Sequence, residues 1–277
     1  MNKQIVKEYY NESYNSYIDY PISMNYLHFH NLREFDFVNT GSSEIVTECG
    51  TFKVEAPFVV QYPEGMLHLQ RNTGSVYTRW HLLYPPDRVQ SVFGDRIPGG
   101  FVLLKVGHDL AERIKYLFNY IVDDRLNPNG SNEHWFFPFC AICNELMPNF
   151  DSGIKSEGTS SSQKRIFDIC RYIDAHFAEK MTLDSLSGEF FIGRATLVRE
   201  FRRVLDTTVG DYIQHVRVSK AKRMLMMGKS VSEVSDACGY ASPSYFIQVF
   251  RRSEKITPAV YAMKNSNFTD ESWEILP

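Results

Sequence analysis

Residues 231–252 read VSEVSDACGYASPSYFIQVFRR, and residues 182–204 read TLDSLSGEFFIGRATLVREFRRV. These two stretches share one plan, and that repetition limits the fold more than any other feature. In the second stretch Val231, Val234 and Ala237 have helical spacing, and Ser230 with Glu233 predicts a capping box at the helix start. Gly239 suits a tight turn, because it lacks the Cβ that penalises unusual backbone angles. Ser242 then predicts a second N-cap. Pro243 falls at the first helical position, where its missing N–H costs nothing. Phe246 and Phe250 lie one turn apart and face inward, while Ser244, Ile247, Gln248 and Arg251 fall on other faces. Two short helices across a glycine turn read as a helix-turn-helix.

The upstream stretch follows the same order about 48 residues earlier, since Leu183 matches Val231 and Leu186-Ser187 matches Val234-Ser235. After one residue of slippage at the turn, Leu197 matches Phe246 and Phe201-Arg202-Arg203 matches Phe250-Arg251-Arg252. Thr208 then matches Thr257, and Tyr212 matches Tyr261. Core packing alone does not require polar positions to repeat. The segment between the copies, 208–228, has one long helical pattern. At 1.5 Å per residue it spans roughly 30 Å, near the ~34 Å of one DNA turn. Two reading helices at that separation can enter successive major grooves.

Residues 164–264 resemble the two-motif DNA-binding domain of the AraC/XylS family of bacterial transcription regulators. The matching residues are Leu197, Phe201-Arg202, Tyr212, Arg217, Ala221 and Leu225, then Ala237, Gly239-Tyr240, Ser244-Tyr245-Phe246, Phe250-Arg251, Thr257-Pro258 and Tyr261. This chain departs from the family in having Ser187 and Ser235 where alanine is usual, and Gly193 where serine is usual. It also has Asp206 and Lys255 where glycine usually follows each reading helix.

Charge is distributed to match. The net charge is −3, but residues 163–264 hold 17 Lys+Arg against 11 Asp+Glu, whereas residues 1–162 hold 13 against 19. Phosphate contacts need such a local basic excess. Base-reading positions lie near the start of each second helix. They are Arg194, Ala195, Val198 and Arg199 in the first motif, and Pro243, Ser244, Ile247 and Gln248 in the second. Arg199 can donate twice to a guanine edge, Gln248 can pair with adenine, and Ala195, Val198 and Ile247 can meet thymine methyls. Arg202, Arg203, Arg251 and Arg252, with the helix N-termini at Thr208 and Thr257, are expected on phosphates.

Residues 20–106 instead alternate short aromatic and β-branched runs with turn signals, as regular short strands do. Within them His28-Phe29-His30, Glu34 and Gly41, followed by Pro63, Gly65, His68 and Asn72, resemble the two motifs of the cupin superfamily. Ile22 and Pro57 stand where that pattern has glycines. The resemblance implies that His28, His30, Glu34 and His68 converge inside a barrel. Imidazole and carboxylate suit iron, manganese, nickel or zinc. The apolar neighbours Leu27, Phe29, Leu67 and Leu69 alternate outward and are expected to offer no partner that would fix an imidazole tautomer. We therefore read the four as an unmetallated polar pocket for a small effector, with no cofactor. A sugar or glycoside is the favoured class, with Tyr9, Tyr10, Tyr14, Tyr17 and Tyr20 as stacking candidates. The competing reading is a metal-dependent cupin enzyme fused to a DNA-binding module.

Residues 108–125 return to helical spacing, with Leu110, Ile114, Leu117 and Ile121 on one seam, and a second helix follows at about 133–147. The seam either packs on the chain's own strands or forms a dimer contact; the family resemblance implies the dimer. Cys140 and Cys143 form a C-x-x-C in an apolar helical stretch and read as buried thiols. No phosphate-cradling glycine loop, nucleophile elbow or zinc-protease motif occurs. The five cysteines, without a signal peptide or an apolar run of membrane length, suit a reducing cytoplasm.

The expected architecture is α+β. A cupin-like effector and dimerisation domain over 1–150 is followed by a linker over 151–163. A double helix-turn-helix domain over 164–264 and an acidic tail over 265–277 complete it. The expected function is a non-enzymatic, cytoplasmic, homodimeric transcription regulator that binds double-stranded promoter DNA. The resemblance admits RNA polymerase as a further partner, and no membrane role is expected.

Overall fold

The computed structural model describes residues 27–29, 32–73, 77–121, 134–154 and 160–264. His30, the five N-terminal tyrosines, residue 133, residues 155–159 and the tail 265–277 lie outside the described residues. The chain divides into two compact units, Met1–Thr159 and Ser160–Pro277.

The first unit is built on two antiparallel sheets. One contains β1 (Arg33–Thr40), β4 (Phe58–Tyr62), β6 (Thr78–Tyr84) and β7 (Val102–Lys105), in the order β6-β1-β4-β7. The other contains β2 (Ser42–Thr47), β3 (Gly50–Glu55) and β5 (His68–Asn72), in the order β3-β2-β5. Side chains alternate along a strand, so β1 serves two interiors. Phe35 and Phe37 enter a core with Phe118, Phe139 and Ile142 from the covering helices. Val38, on the opposite face, joins Ile45, Phe52, Val60 and Tyr62 from both sheets. β1 is thereby buried on both faces, and the polar Glu34 and Asp36 are buried with it.

The covering helices are α1 (Pro86–Phe93), α2 (His108–Ile121) and α3 (Phe136–Leu146). On the expected seam Ile114 is fully buried, and Leu110, Leu117 and Ile121 pack half-buried against the same core. The seam therefore packs on the chain's own sheet, the first of its two readings. Cys143 on α3 is buried and Cys140 half-buried, and burial pushes both thiols above the usual range, which lowers their thiolate fraction. All five cysteines are free. Of the expected linker, Ile154 pairs as a β-bridge with Leu103, and residues 161–163 already belong to the next helix.

The second unit is helical, comprising α4 (Ser161–Ala175), α5 (Leu183–Glu189), α6 (Arg194–Leu205), α7 (Val209–Met226), α8 (Val231–Ala237), α9 (Pro243–Glu254) and α10 (Pro258–Lys264). α7 packs against α4, α6, α8, α9 and α10. Buried residues on several of its faces, from Tyr212 to Leu225, mark it as the central helix. Its Arg217 is buried too, because it donates to the Phe177 and Glu179 carbonyls at 2.7 and 2.8 Å and lies over the Tyr240 ring. Among the described residues no helix is long and apolar enough to cross a membrane.

Candidate nucleic-acid interface and interior polar site

The helix pairs α5–α6 and α8–α9 form as their capping residues dictate. Ser230 Oγ accepts the Glu233 N–H at 3.3 Å, and the Glu233 carboxylate accepts the Ser230 N–H at 2.8 Å, which closes the expected capping box. In the first pair Thr182 and Ser185 make the corresponding reciprocal bonds. Ser242 caps α9 by accepting the Tyr245 N–H at 3.3 Å, with Pro243 at its start. The repeat extends to the turns: the Ile192 N–H donates to the Ser187 carbonyl, and the Tyr240 N–H to the Ser235 carbonyl, each at 3.0 Å.

One position of the two turns has positive φ in both but a different residue in each. Gly239 has φ +71°, and a Cβ there would collide with the Ala178 backbone. Its counterpart, Phe191, also has positive φ, at 49°, and its side chain is 96% exposed. The family resemblance alone gave no indication of this residue. Asp206 and Lys255, each ending the second helix of a pair, both adopt the left-handed conformation expected where glycine is usual.

On the outer faces of the second helices, Arg194, Ala195, Val198, Arg199, Arg202 and Arg203 are exposed on α6. Pro243, Ser244, Ile247, Gln248, Arg251 and Arg252 are exposed on α9. Val198 and Ile247, equivalent in the repeat, leave 43% and 36% of their apolar surface in water. Leu197, Phe201, Phe246 and Phe250 are wholly buried beneath them. Arg194 pairs with Asp184 at 3.1 Å, and Arg199 and Arg203 both reach Glu200. The Thr208 hydroxyl caps α7 and bonds the Asp211 carboxylate, so an acidic group occupies that helix start. Thr257 Oγ1 accepts the Val260 N–H in the same capping role.

In the first unit, His28, Glu34 and His68 meet, with candidate ligand atoms within 4.8 Å of one another. His28 and His68 pair as a β-bridge, and His68 Nε2 lies 2.8 Å from Glu34 Oε2, linking β5 of one sheet to β1 of the other. His68 Nδ1 is 2.9 Å from the Met66 carbonyl, which can only accept, so Nδ1 carries the proton of that bond. The backbone thus supplies the tautomer-fixing partner that the side-chain pattern did not offer. The neighbours expected to alternate outward are not solvent-facing: Leu27, Leu67 and Leu69 are buried.

A second cluster, absent from the sequence motif, shares Glu34. His81 Nδ1 lies 2.8 Å from Asp36 Oδ1 and 3.2 Å from Glu34 Oε1, and Arg79 donates to Asp36 Oδ2 at 3.2 Å. Asp36 and His81 are opposite each other in the β1–β6 register. Burial pulls the His81 pKa down, but the Glu34 and Asp36 carboxylates outweigh it and push it up to about 10. The strand alternation that places Glu34 and Asp36 on one face was visible in the sequence; the cross-strand partner was not. Chemically these donors suit a transition metal. Each donor atom named is already engaged by a protein group, however, and Arg79 with protonated His81 balances the two carboxylates.

Residues 186–264 match a family model described as a helix-turn-helix domain. The chain is 36% identical over 92 residues to the bifunctional transcriptional activator and DNA repair enzyme AdaA of Bacillus subtilis, a match covering 33% of this chain and 44% of that relative. The chain thus spans less than half the length of that protein. It is 21% identical over 243 residues to the transcriptional activator RhaS of Escherichia coli, covering 83% of this chain and 85% of RhaS. A crystal structure of a single-substitution variant of apo ToxT from Vibrio cholerae aligns with a TM-score of 0.41 at 15% identity, over 86% of this chain and 92% of ToxT. The C-terminal unit is a DNA-binding domain of the helix-turn-helix class. Together with the motif residues quoted above, these matches make the C-terminal unit similar to the helix-turn-helix domains of transcriptional regulators.

Proposed function

We propose that the chain is a sequence-specific transcription regulator whose promoter binding is modulated by a small molecule. The observation that carries this is the matched pair of exposed faces on α6 and α9, each set on a buried aromatic or leucine base. In this reading α5–α6 and α8–α9 are two helix-turn-helix motifs. Arg194, Ala195, Val198, Arg199, Pro243, Ser244, Ile247 and Gln248 face bases, and Arg202, Arg251, Arg252, Thr208 and Thr257 face phosphates, with Arg203 on the same face but paired to Glu200. The first unit is a cupin-like effector domain that closes around the polar seam between its sheets and dimerises. The half-buried His28 ring, 4.4 Å from that of His68, is the accessible end of the effector site. His30 belongs to the same site by its spacing from His28, and a polyhydroxylated ligand such as a sugar matches the chemistry of these groups. The protein works in the cytoplasm without turnover, and RNA polymerase is a further partner.

The test is selection from a random duplex library with purified protein, followed by titration of the enriched sequence against a scrambled one. Enrichment of a site with two half-sites about one helical turn apart supports the reading; equal affinity for both duplexes defeats it. The competing reading, a metal-dependent cupin enzyme, draws on the His28–Glu34–His68 cluster. Stoichiometric transition metal that survives dialysis and is lost in His68→Ala would favour it.

A further inference from the structure

The two reading helices are not electrically equivalent, and the difference lies at one position. Glu200 is the sole carboxylate on α6, and its counterpart on α9 is the apolar Val249. Its side chain is 17% exposed and gathers three donors. Oε1 accepts from Arg199 Nε at 3.3 Å. Oε2 accepts from Arg203 Nε at 2.9 Å and from Ser162 Oγ at 2.9 Å. Arg203 Nη2 also donates to Ser162 Oγ at 2.6 Å, which ties the guanidinium back to the start of α4. These hydrogen bonds, from Arg203 first, then Ser162 and Arg199, hold the Glu200 carboxyl below the usual carboxylate range. On α9, no carboxylate pairs with Arg251 or Arg252 among the described residues.

We propose that Glu200 is a positioning residue for specificity, withholding Arg203 from phosphate and orienting Arg199 toward bases. Held through Nε, the Arg199 guanidinium keeps both Nη groups for a guanine edge. Arg203, held through Nε and Nη2 by Glu200 and Ser162, contributes little sequence-independent attraction. The second helix pair is then the main salt-dependent anchor, and the first pair adds discrimination. An ion-paired arginine releases no counterion from DNA, so the device lowers affinity for random sequence without weakening the reading contact. This inference rests on the proposed DNA-binding function.

The test uses the full chain and a duplex of scrambled sequence, titrated over a range of salt concentrations. Glu200→Gln keeps the shape and removes the charge. Affinity for scrambled DNA should rise several-fold at low salt, and the slope of log K against log salt should steepen by about 1, the increment for one added phosphate contact. Val249→Glu, which places the same carboxylate on α9, should flatten the slope by about the same amount. Ser162→Ala, which leaves the carboxylate in place, should keep the wild-type slope. An unchanged slope in Glu200→Gln overturns the proposal, as does a Ser162→Ala slope matching Glu200→Gln, since the α4 tether would then be the cause. Val249→Glu serves as the deciding variant if Glu200→Gln melts early. Wild-type protein that fails to bind duplex at any salt would instead defeat the DNA-binding reading itself.

Discussion

Ser187 and Ser235 occupy one position of the repeat, and each has a buried hydroxyl with no hydrogen-bond partner. Alanine, usual at both positions in the family, avoids that desolvation penalty while keeping the small volume. Ser235→Ala should therefore stabilise the helical unit by about 1 kcal/mol, read as a higher midpoint in urea. A lower midpoint would mean that the hydroxyl has a partner in solution. Lys255 gives a second single-residue prediction of the same sign. Its left-handed backbone, with φ 63°, suits glycine better than a residue with a Cβ. Lys255→Gly should gain about 1 kcal/mol in the same measurement. Both residues stand where this chain departs from the family it resembles, so their cost was legible in the sequence. Phe191 was not legible in this way. Nothing in its neighbours signals a positive φ, and only the repeat alignment with Gly239 connects the two.

At the scale of elements, the helices of the second unit were readable because their determinants are local. Ser230 with Glu233 and Ser242 with Pro243 lie within one turn of the bonds they make, and α8 and α9 begin at the next residue or the same one. The sheets were readable only as strands. The pairing of Asp36 with His81 spans 45 residues of sequence and depends on the β1–β6 register, which no short pattern encodes. The α2 seam shows the same limit: helical spacing marks an apolar face without naming what covers it. Because Leu117 is packed against the unit's own core, Leu117→Glu should lower its stability by roughly 2–4 kcal/mol. Clean dissociation to a folded monomer would instead assign the seam to a dimer. The proposed reading helices permit a sharper comparison. Arg199→Ala and Gln248→Ala should each cost about 1–3 kcal/mol on the selected site and relax preference at one base pair. Arg251→Ala should weaken all duplexes alike and reduce the salt slope by about 1. Binding isotherms on selected and scrambled duplexes separate the two classes, and equal losses on both would remove Arg199 from the base-reading set.

For the whole molecule, the two units should respond to pH in opposite directions, because each contains a histidine shifted a different way. In the sheet unit, the His81 pKa is raised from 6.5 to about 10 by Glu34 and Asp36, against the effect of burial. A raised folded-state value means the native state holds the proton more tightly than the unfolded chain. The associated stability is full below pH 6.5 and is lost as pH rises toward 10. In the helical unit, burial lowers the His215 pKa on α7, and Asp211 and Glu254 only partly oppose it. There the unfolded chain takes the proton more readily. That contribution is intact above the ordinary histidine value of 6.5 and is lost as pH falls through the depressed folded value. Scanning calorimetry between about pH 5 and 9, short of the range where tyrosines ionise, should show one transition falling on the alkaline side and the other on the acid side. His81→Asn should lower the first transition near neutrality and remove its alkaline slope, since its two carboxylates would lose their cation. His215→Asn should remove only the acid slope of the second. If both transitions keep their slopes in both variants, neither histidine is the titrating group, and the charge balance drawn for Glu34, Asp36, Arg79 and His81 is wrong.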